Sequence, residues 1–225
     1  MIDSDSNKKN NISIPNRLAK CFSSVVHDVM RDDGFKNFVL DPAIKPLKEE
    51  HKIGGQIFTI KGSSNSSYTH DETLLAWTGM LSKAPADKVL ICQPNDNVAA
   101  FMGELSAEYL LKKNVRGYIA DGGCRDVEFI NNINFPVWSK FNTPKDVVGY
   151  WKPDELETTI KIGDVIINNN DYVLADIDGV VIIPQDHIIN ILEKTENLIS
   201  TESKVRKAIR EGMDPQEAYI KFSAF

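Results

Sequence analysis

The chain of 225 residues has a composition typical of a globular protein, with 42% hydrophobic and 26% charged residues. Its formal net charge of −6 argues against binding nucleic acid through phosphate contacts, which require clustered lysine and arginine. The three cysteines have no CxxC spacing, which excludes a zinc ribbon and argues against a secreted disulfide scaffold. The length predicts one full domain with an appendage.

Neither a membrane span nor a signal peptide is expected. No run approaches the roughly 18 apolar residues that indicate a transmembrane helix. The first 13 residues are polar and lack the apolar stretch of a signal peptide. We therefore expect a cytoplasmic protein in which residues 1–12 form a disordered lead-in and residues 13–225 form a single domain.

The first part of the chain predicts helices that alternate with strands. In chain order these are a helix over 15–34, a strand over 55–62, a helix over 71–83, a strand over 88–92, a helix over 103–113, a strand over 117–120 and a helix over 125–131. The apolar spacing predicts that Leu74 and Leu75 share the buried face of one helix, and Leu105 and Tyr109 that of the next. This alternation predicts parallel strands with helical crossovers.

The last part of the chain has a different pattern. Short apolar runs over 165–169, 172–176 and 180–184 are joined by tight polar turns, which predicts an antiparallel meander. A long helix over about 186–210 and a short one over 214–222 predict a C-terminal helical arm.

The carboxyl ends of parallel strands are where α/β sheets bind ligands. After the strand over 117–120, two glycines precede Arg125 and Asp126 at a predicted helix start, where backbone N–H groups favour an anion. Arg125 could bind a carboxylate with two hydrogen bonds, and Asp126 could offer an oxygen ligand to Mg²⁺ or Mn²⁺. An arginine, an aspartate and free backbone N–H groups together suit a metal-chelated 2-oxo acid. The chain has a second Arg-Asp dipeptide at Arg31-Asp32, so a purely structural role for Arg125-Asp126 also stays open.

At the other positions with reactive residue types, a structural role is favoured. Cys124 adjoins the motif, but no histidine lies near it in sequence, so a small buried thiol is expected. Asp176 and Asp178 lie in a DIDG sequence that favours a hairpin turn over a dicarboxylate site. His27 favours a surface role, and His70 with its neighbouring aspartate favours a helix cap.

A longer pattern connects Arg125 to a segment upstream. The tripeptide Gly103-Glu104-Leu105 precedes it, and 20 residues separate Glu104 from Arg125, which Asp126 follows. This pattern resembles the G-x-x-x-(D/E)-x20-R-D signature of the RraA-like family, which includes the class II 4-hydroxy-4-methyl-2-oxoglutarate (pyruvate) aldolases. Three more segments resemble that family, namely FPVW (135–138), ADIDGVVIIP (175–184) and ExxxRxxIxxG (202–212).

The resemblance implies an α/β protein with a three-layer β/β/α swivelling-domain fold, assembled as a homotrimer or a hexamer. It also implies a divalent-metal-dependent class II aldolase that cleaves a 4-hydroxy-2-oxo dicarboxylic acid and releases pyruvate, with oxaloacetate decarboxylation as a side activity. The implied cofactor is Mg²⁺, or Mn²⁺. Ala100 stands where the signature has its first glycine, which gives the loop less freedom at that point.

The family's functional residues correspond to particular positions here. The resemblance implies that Asp126 ligates the metal, that Arg125 binds the pyruvyl oxygens and that Glu104 positions a metal-bound water for proton transfer. It implies that Glu202 reaches the active site of a neighbouring subunit. Backbone N–H groups of one loop would contact the substrate, at Gly103, Glu104, Leu105 and Ser106.

A binding protein is the alternative class. Some members of the family lack the acidic loop residue and regulate ribonuclease activity without aldolase chemistry. The presence of Glu104, Arg125 and Asp126 favours the enzyme. An enzyme of the same fold with another substrate also stays open, because the sequence shows only the pyruvyl end of the site.

Overall fold

The computed structural model describes residues 12–223, so residues 1–11 of the predicted lead-in lie outside the described residues. The helices are α1 (Ile14–Leu18), α2 (Ser23–Asp32), α3 (His70–Lys83), α4 (Glu104–Lys112), α5 (Val127–Asn132), α6 (Ile188–Arg210) and α7 (Pro215–Phe222). The strands are β1 (Lys45–Pro46), β2 (Ile53–Ser64), β3 (Lys88–Gln93), β4 (Gly117–Ala120), β5 (Gly123–Cys124), β6 (Val137–Ser139), β7 (Phe141–Asn142), β8 (Trp151–Leu156), β9 (Ile160–Ile162), β10 (Val165–Ile167), β11 (Tyr172–Ala175) and β12 (Val180–Ile183).

The largest sheet in this part of the chain has eight strands, in the order β1-β6-β4-β3-β2-β11-β12, with β8 also paired to β2. Its central strands β2, β3, β4 and β6 are parallel. Because parallel neighbours need a crossover, α3, α4 and α5 each connect one of these strands to the next. The predicted parallel pairing is confirmed.

The sheet carries apolar side chains on both faces, which gives the fold three layers. On β3, Leu90 and Cys92 pack in the core shared with α3, α4 and α5. The alternating residues Val89 and Ile91 pack on the opposite face against β9 and β10. This arrangement confirms the predicted mixed α/β fold with β, β and α layers.

The C-terminal arm is confirmed as well. The first turns of α6 pack against α2 in a third core that includes Val26, Met30, Ile191 and Leu192. Gly212 follows α6 with φ +97°, a left-handed conformation that glycine adopts readily at helix ends. Within the described residues, neither this 23-residue helix nor any other is apolar and long enough to cross a membrane.

The single helix predicted over 15–34 is wrong, because the chain breaks between residues 19 and 22 and forms α1 and α2. Strand β2 passes close to the end of α1: a Cβ atom on Gly54 would lie 2.6 Å from the backbone nitrogen of Ala19. Leu18 and the apolar residues of α2 nevertheless enter the same core. The apolar spacing therefore continues across the break and conceals it.

The predicted buried faces of α3 and α4 are also wrong in part. Leu75 and Leu105 are 73% and 78% exposed, whereas α3 buries Met80 and α4 buries Ala107 and Leu110. Both helices carry more apolar residues than one buried stripe can hold. Their orientation on the sheet decides which of them are covered, and spacing alone does not show that orientation.

The predicted three-stranded meander is wrong in one pairing. Strands β11 and β12 form the expected antiparallel hairpin around the DIDG sequence. Strand β10, however, pairs with β9 and not with β11. The two-residue turn Gly163-Asp164 joins β9 to β10, and Gly163 has φ +57°, as such turns require.

Asp176 holds the β11–β12 turn against the start of α2. It is 6% exposed, and its carboxylate accepts hydrogen bonds from the N–H of Ser23 at 2.8 Å and the hydroxyl of Ser23 at 2.6 Å. It also accepts one from the N–H of Asp178 at 3.1 Å, which confirms that the DIDG sequence forms a hairpin turn.

Replacing Asp176 with Ala is expected to lower the free energy of unfolding by about 3 kcal/mol, because buried polar groups of Ser23 lose their acceptor. The matched control is Asp178→Ala, an exposed aspartate in the same turn, for which we expect a change below about 0.5 kcal/mol. Urea denaturation measures both variants. Equal destabilisation by the two would contradict this role for Asp176.

Candidate active site

Neighbouring parallel strands bring the two halves of the motif together. The first half follows β3 and the second follows β4, so both leave the same edge of the sheet. The two segments then run side by side. The N–H of Phe101 donates to the carbonyl of Gly123 at 2.8 Å, and the N–H of Arg125 donates to the carbonyl of Met102 at 3.0 Å. This pairing explains how residues far apart in sequence reach one site.

The carboxylate of Asp126 lies at the start of α4. Its Oδ2 atom accepts a hydrogen bond from the N–H of Glu104 at 3.0 Å. A Cβ atom on Gly103 would lie 2.9 Å from the same oxygen and 3.1 Å from Nε of Arg125. The glycine thus lets both charged groups approach the loop. Asp126 has φ +56°, a left-handed conformation that aspartate tolerates better than most residues.

The guanidinium of Arg125 lies between two carboxylates. Its Nε is 3.5 Å from Oδ2 of Asp126, and its Nη1 is 3.3 Å from Oδ2 of Asp146. Sequence reasoning missed Asp146, because the Thr-Pro-Lys-Asp segment that contains it indicates a turn and nothing about its partner. The side chain of Arg125 stays 39% exposed, so a ligand can reach it.

These groups line a cleft of about 470 Å³ between α3, α4 and the chain after β7. Its polar lining residues are Thr78, Glu104, Ser106, Arg125, Asp126 and Asp146. Its apolar lining includes Leu74, Trp77, Leu81, Met102, Leu105 and Val147. Trp77, which the sequence did not indicate, donates from Nε1 to the hydroxyl of Ser106 at 2.9 Å. The structure therefore brings together every predicted site residue except Glu202.

The glycine that the family signature has at position 100 is not required by the backbone here. Ala100 is buried, and its φ is not positive. It forms a parallel bridge with Gly123, and its N–H donates to the carbonyl of Lys145 at 2.8 Å. An extended conformation of this kind is open to alanine.

The helix predicted to start at Arg125 starts at Val127 instead and has only six residues. Its dipole is therefore a weaker source of anion binding than the sequence suggested. The nine-residue helix α4 offers an alternative, because the N–H groups of Leu105 and Ser106 lie in its first turn, where no intrahelical acceptor exists.

Glu202 does not line the cleft of its own chain. It lies on α6 and lines a separate groove with Val205, Arg206, Ile209 and Arg210. Its expected contact with a neighbouring subunit therefore stays a prediction.

The donor set of the cleft fits a hard cation that keeps most of its water. The described residues contain no group of three or more His, Cys, Asp or Glu side chains arranged to hold a metal ion. Mg²⁺ commonly uses one or two carboxylates and several waters, and a site of that kind is compatible with the carboxylates of Asp126, Glu104 and Asp146, which line one cleft.

The other candidates have structural roles. Cys124 is fully buried, and burial raises the pKa of its thiol to about 12, which keeps it protonated at neutral pH. The predicted cap by His70 is wrong in detail, because Thr69 caps α3. Thr69 and Glu72 exchange the two hydrogen bonds of a capping box.

A model of the RraA-like family, described as Aldolase/RraA, matches residues 23–182. The chain belongs to the RraA-like family. The match spans the whole motif from residue 103 to residue 126, which confirms the resemblance seen in the sequence.

Three proteins illustrate this similarity. DlpA of Legionella pneumophila is 28% identical over 209 residues, which are 90% of this chain and 32% of DlpA, so the chain spans about a third of that relative. A Halalkalibacterium halodurans protein named "Putative 4-hydroxy-4-methyl-2-oxoglutarate aldolase" is 26% identical over 84% of this chain and 85% of its own length. The crystal structure of Streptomyces coelicolor RraAS2, described as an unusual member of the RNase ES inhibitor RraA family, covers 86% of this chain and 96% of its own, with a TM-score of 0.77 and 20% identity. This last likeness shows the fold alone.

Proposed function

We propose that this protein is a divalent-metal-dependent lyase, a class II aldolase, that cleaves a 4-hydroxy-2-oxo acid and releases pyruvate. The observation that carries the proposal is the convergence of Glu104, Arg125 and Asp126 on one cleft. A relative named as an aldolase supports it. Oxaloacetate decarboxylation would be a side activity, because it yields the same pyruvate enolate.

The cleft offers a group for each part of a 2-oxo acid. Asp126 would hold Mg²⁺ or Mn²⁺, and the cation would supply Lewis-acid polarisation of the 2-oxo group. Arg125 binds the carboxylate through its planar fork of N–H groups. The N–H groups of Leu105 and Ser106 are further donors to the substrate oxygens.

The remaining steps are proton transfer and cleavage of the C3–C4 bond. A water positioned by Glu104 takes the proton of the C4 hydroxyl. The C3–C4 bond then breaks, its electron pair forms the enolate of pyruvate, and C4 becomes a carbonyl group. Arg125 stabilises the negative charge that develops on the enolate. The water returns a proton to C3, which completes pyruvate.

We also propose that the protein assembles as a trimer or hexamer in which Glu202 reaches the cleft of a neighbouring subunit. Glu202 lies outside the cleft of its own chain, so it can act at a cleft only through contact with another subunit. Light scattering on the purified protein measures the mass, and a monomer would contradict the proposal.

Pyruvate release tests the function directly. We expect turnover of 4-hydroxy-4-methyl-2-oxoglutarate or oxaloacetate with Mg²⁺, detected by coupled lactate dehydrogenase, and loss of that turnover with EDTA. Reactions without protein correct for the spontaneous decay of oxaloacetate. No turnover of any 4-hydroxy-2-oxo acid by the folded protein would contradict the proposal and favour a regulator that binds another protein.

A further inference from the structure

The hydroxyl group of Ser106 is held at the wall of the cleft that α3 and α4 form. Ser106 lies in the first turn of α4 and lines the cleft together with Trp77 of α3. The indole Nε1 of Trp77 donates a hydrogen bond to Oγ of Ser106 at 2.9 Å. This bond joins the two helices and fixes one of the hydrogen bonds that the hydroxyl group makes.

The indole of Trp77 is itself fixed by packing. Its ring contacts the ring of Trp151 edge to face, with the centroids 6.0 Å apart, and Trp151 contacts Phe101 in the same way at 5.0 Å. Both Trp151 and Phe101 are fully buried, and Nε1 of Trp151 donates to the carbonyl of Pro94 at 2.7 Å. A ring packed against such a pair has few alternative orientations, so the indole N–H reaches Ser106 in a defined direction.

This contact decides how the hydroxyl group of Ser106 can bind. An indole N–H is a donor only, so Oγ accepts in this bond and the hydroxyl proton remains to be donated elsewhere. Thr78 lines the same cleft, but its hydroxyl group donates to the carbonyl of Leu74, four residues earlier in α3, at 2.7 Å. Within the described residues Ser106 makes no such bond, and the carbonyl four residues before it, that of Met102, accepts the N–H of Arg125 at 3.0 Å. The proton of Ser106 is therefore available to a ligand.

Ser106 lies on a different side of the cleft from the group that binds the pyruvyl carboxylate. The guanidinium of Arg125 pairs with Asp146 in the chain after β7, whereas Ser106 is hydrogen-bonded to α3. With the pyruvyl group of a 2-oxo acid against Arg125 and the cation, the side of the cleft that α3 and α4 line is left for the C4 end of the substrate.

We propose that Ser106 is a further catalytic residue of this lyase, that its hydroxyl group donates a hydrogen bond to the C4 oxygen of the substrate, and that Trp77 is its positioning residue. This inference rests on the proposed function. When the C4 hydroxyl loses its proton to the water that Glu104 positions, negative charge develops on the C4 oxygen until the C3–C4 bond breaks. A donor that is oriented beforehand stabilises this charge. Ser106 keeps its own proton throughout.

Oxaloacetate provides a comparison within the same site, because its C4 atom is a carboxylate carbon. Decarboxylation yields the same pyruvate enolate, but the negative charge leaves the C4 carboxylate and develops on the pyruvyl oxygen. A hydrogen bond from Ser106 to that carboxylate is therefore stronger in the ground state than in the transition state and does not accelerate the reaction. Cleavage of a 4-hydroxy acid thus requires the Ser106 donor, and decarboxylation does not.

Ser106→Ala is expected to lower kcat for cleavage of 4-hydroxy-4-methyl-2-oxoglutarate by at least about tenfold, because hydrogen bonds to charged oxygens are stronger than those to neutral ones. With oxaloacetate, kcat is expected to change by less than about twofold. Both reactions are measured with Mg²⁺ by coupled lactate dehydrogenase, with correction for the spontaneous decay of oxaloacetate. A merely structural role of Ser106 would not change the ratio of the two rates.

Thr78→Val is the matched control, since it removes from the same cleft a hydroxyl group that already donates within α3. It should leave the ratio unchanged. Trp77→Phe keeps an aromatic ring but removes the indole N–H, so it should lower the ratio by a smaller factor than Ser106→Ala. In a Ser106→Ala background the effect of Trp77→Phe on the ratio should disappear. Additive effects of the two substitutions would overturn the positioning role of Trp77.

An equal loss of both reactions in Ser106→Ala, or no loss of cleavage, would overturn the inference. Equal loss is the result expected if Ser106 only joins the two helices. It is also expected if a carboxylate of a neighbouring subunit, such as the Glu202 proposed to reach the cleft, accepts its proton. No cleavage of any 4-hydroxy-2-oxo acid by the unaltered protein would overturn the lyase and this inference together, whereas an unchanged ratio in an active Ser106→Ala protein would overturn the inference alone.

Discussion

Asp126→Asn is expected to reduce metal-dependent pyruvate release by at least about a hundredfold, because groups one shell further from a metal already contribute about 10- to 100-fold. The amide cannot supply the anionic oxygen that a hard cation prefers. Asparagine keeps an oxygen that can accept the hydrogen bond from Glu104, and it tolerates the left-handed backbone at this position. The free energy of unfolding should therefore change by less than about 1 kcal/mol.

The matched control is Asp32→Asn in the other Arg-Asp dipeptide of the chain. Asp32 is exposed and pairs with Arg31 at 3.0 Å, so its geometry resembles that of the site without a cleft. Steady-state rates over a range of Mg²⁺ concentrations, with thermal unfolding of each variant, separate a metal role from a folding defect. Full metal-dependent activity in Asp126→Asn would refute the assignment of the metal ligand.

The parallel sheet and the motif could be predicted because each depends on a local pattern. Short apolar runs alternate with amphipathic segments, and this alternation permits few topologies. Glu104 and Asp126 can meet because the segments that carry them follow two adjacent parallel strands, β3 and β4. The hydrogen bond from the N–H of Phe101 to the carbonyl of Gly123 fixes the register of the two segments.

The acidic side of the cleft could not be predicted, because it depends on contacts between distant segments. Asp146 follows a short strand, and its segment, residues 145–149, is held beside Arg125 by hydrogen bonds to Ala100 and Thr73. In the sequence, Trp77 is one apolar residue of a helix. Its hydrogen bond from the indole N–H to the hydroxyl of Ser106 is visible only in the structure. In each case the sequence shows the residue type, and tertiary packing supplies its neighbour.

The same limit explains the pairing error in the C-terminal half. The sequence Gly163-Asp164 is a good two-residue turn, but the strands that flank it are only three residues long. Strands so short give little alternation of polar and apolar residues, so the apolar pattern groups β10 with the runs that follow it. The two-residue turn between β9 and β10 is the stronger indication of which strand pairs with β10.

Arg125→Lys is expected to lower kcat/KM for pyruvate release by about a hundredfold, the loss that follows removal of one donor to a developing oxyanion. Lysine keeps the charge but replaces a planar fork of five N–H donors with a single ammonium group. That group cannot contact Asp126, Asp146 and a substrate carboxylate at once, as the guanidinium geometry allows.

Arg31→Lys is the matched control, because Arg31 also bridges two carboxylates, those of Asp28 and Asp32, but lies on the surface. It should leave kcat/KM unchanged. Arg125→Ala provides the complementary measurement: added guanidinium ion should restore part of its activity if planar hydrogen bonding is what the site uses. Activity of Arg125→Lys equal to that of the unaltered protein would show that positive charge alone is sufficient, and the fork would then have no role in binding the pyruvyl carboxylate.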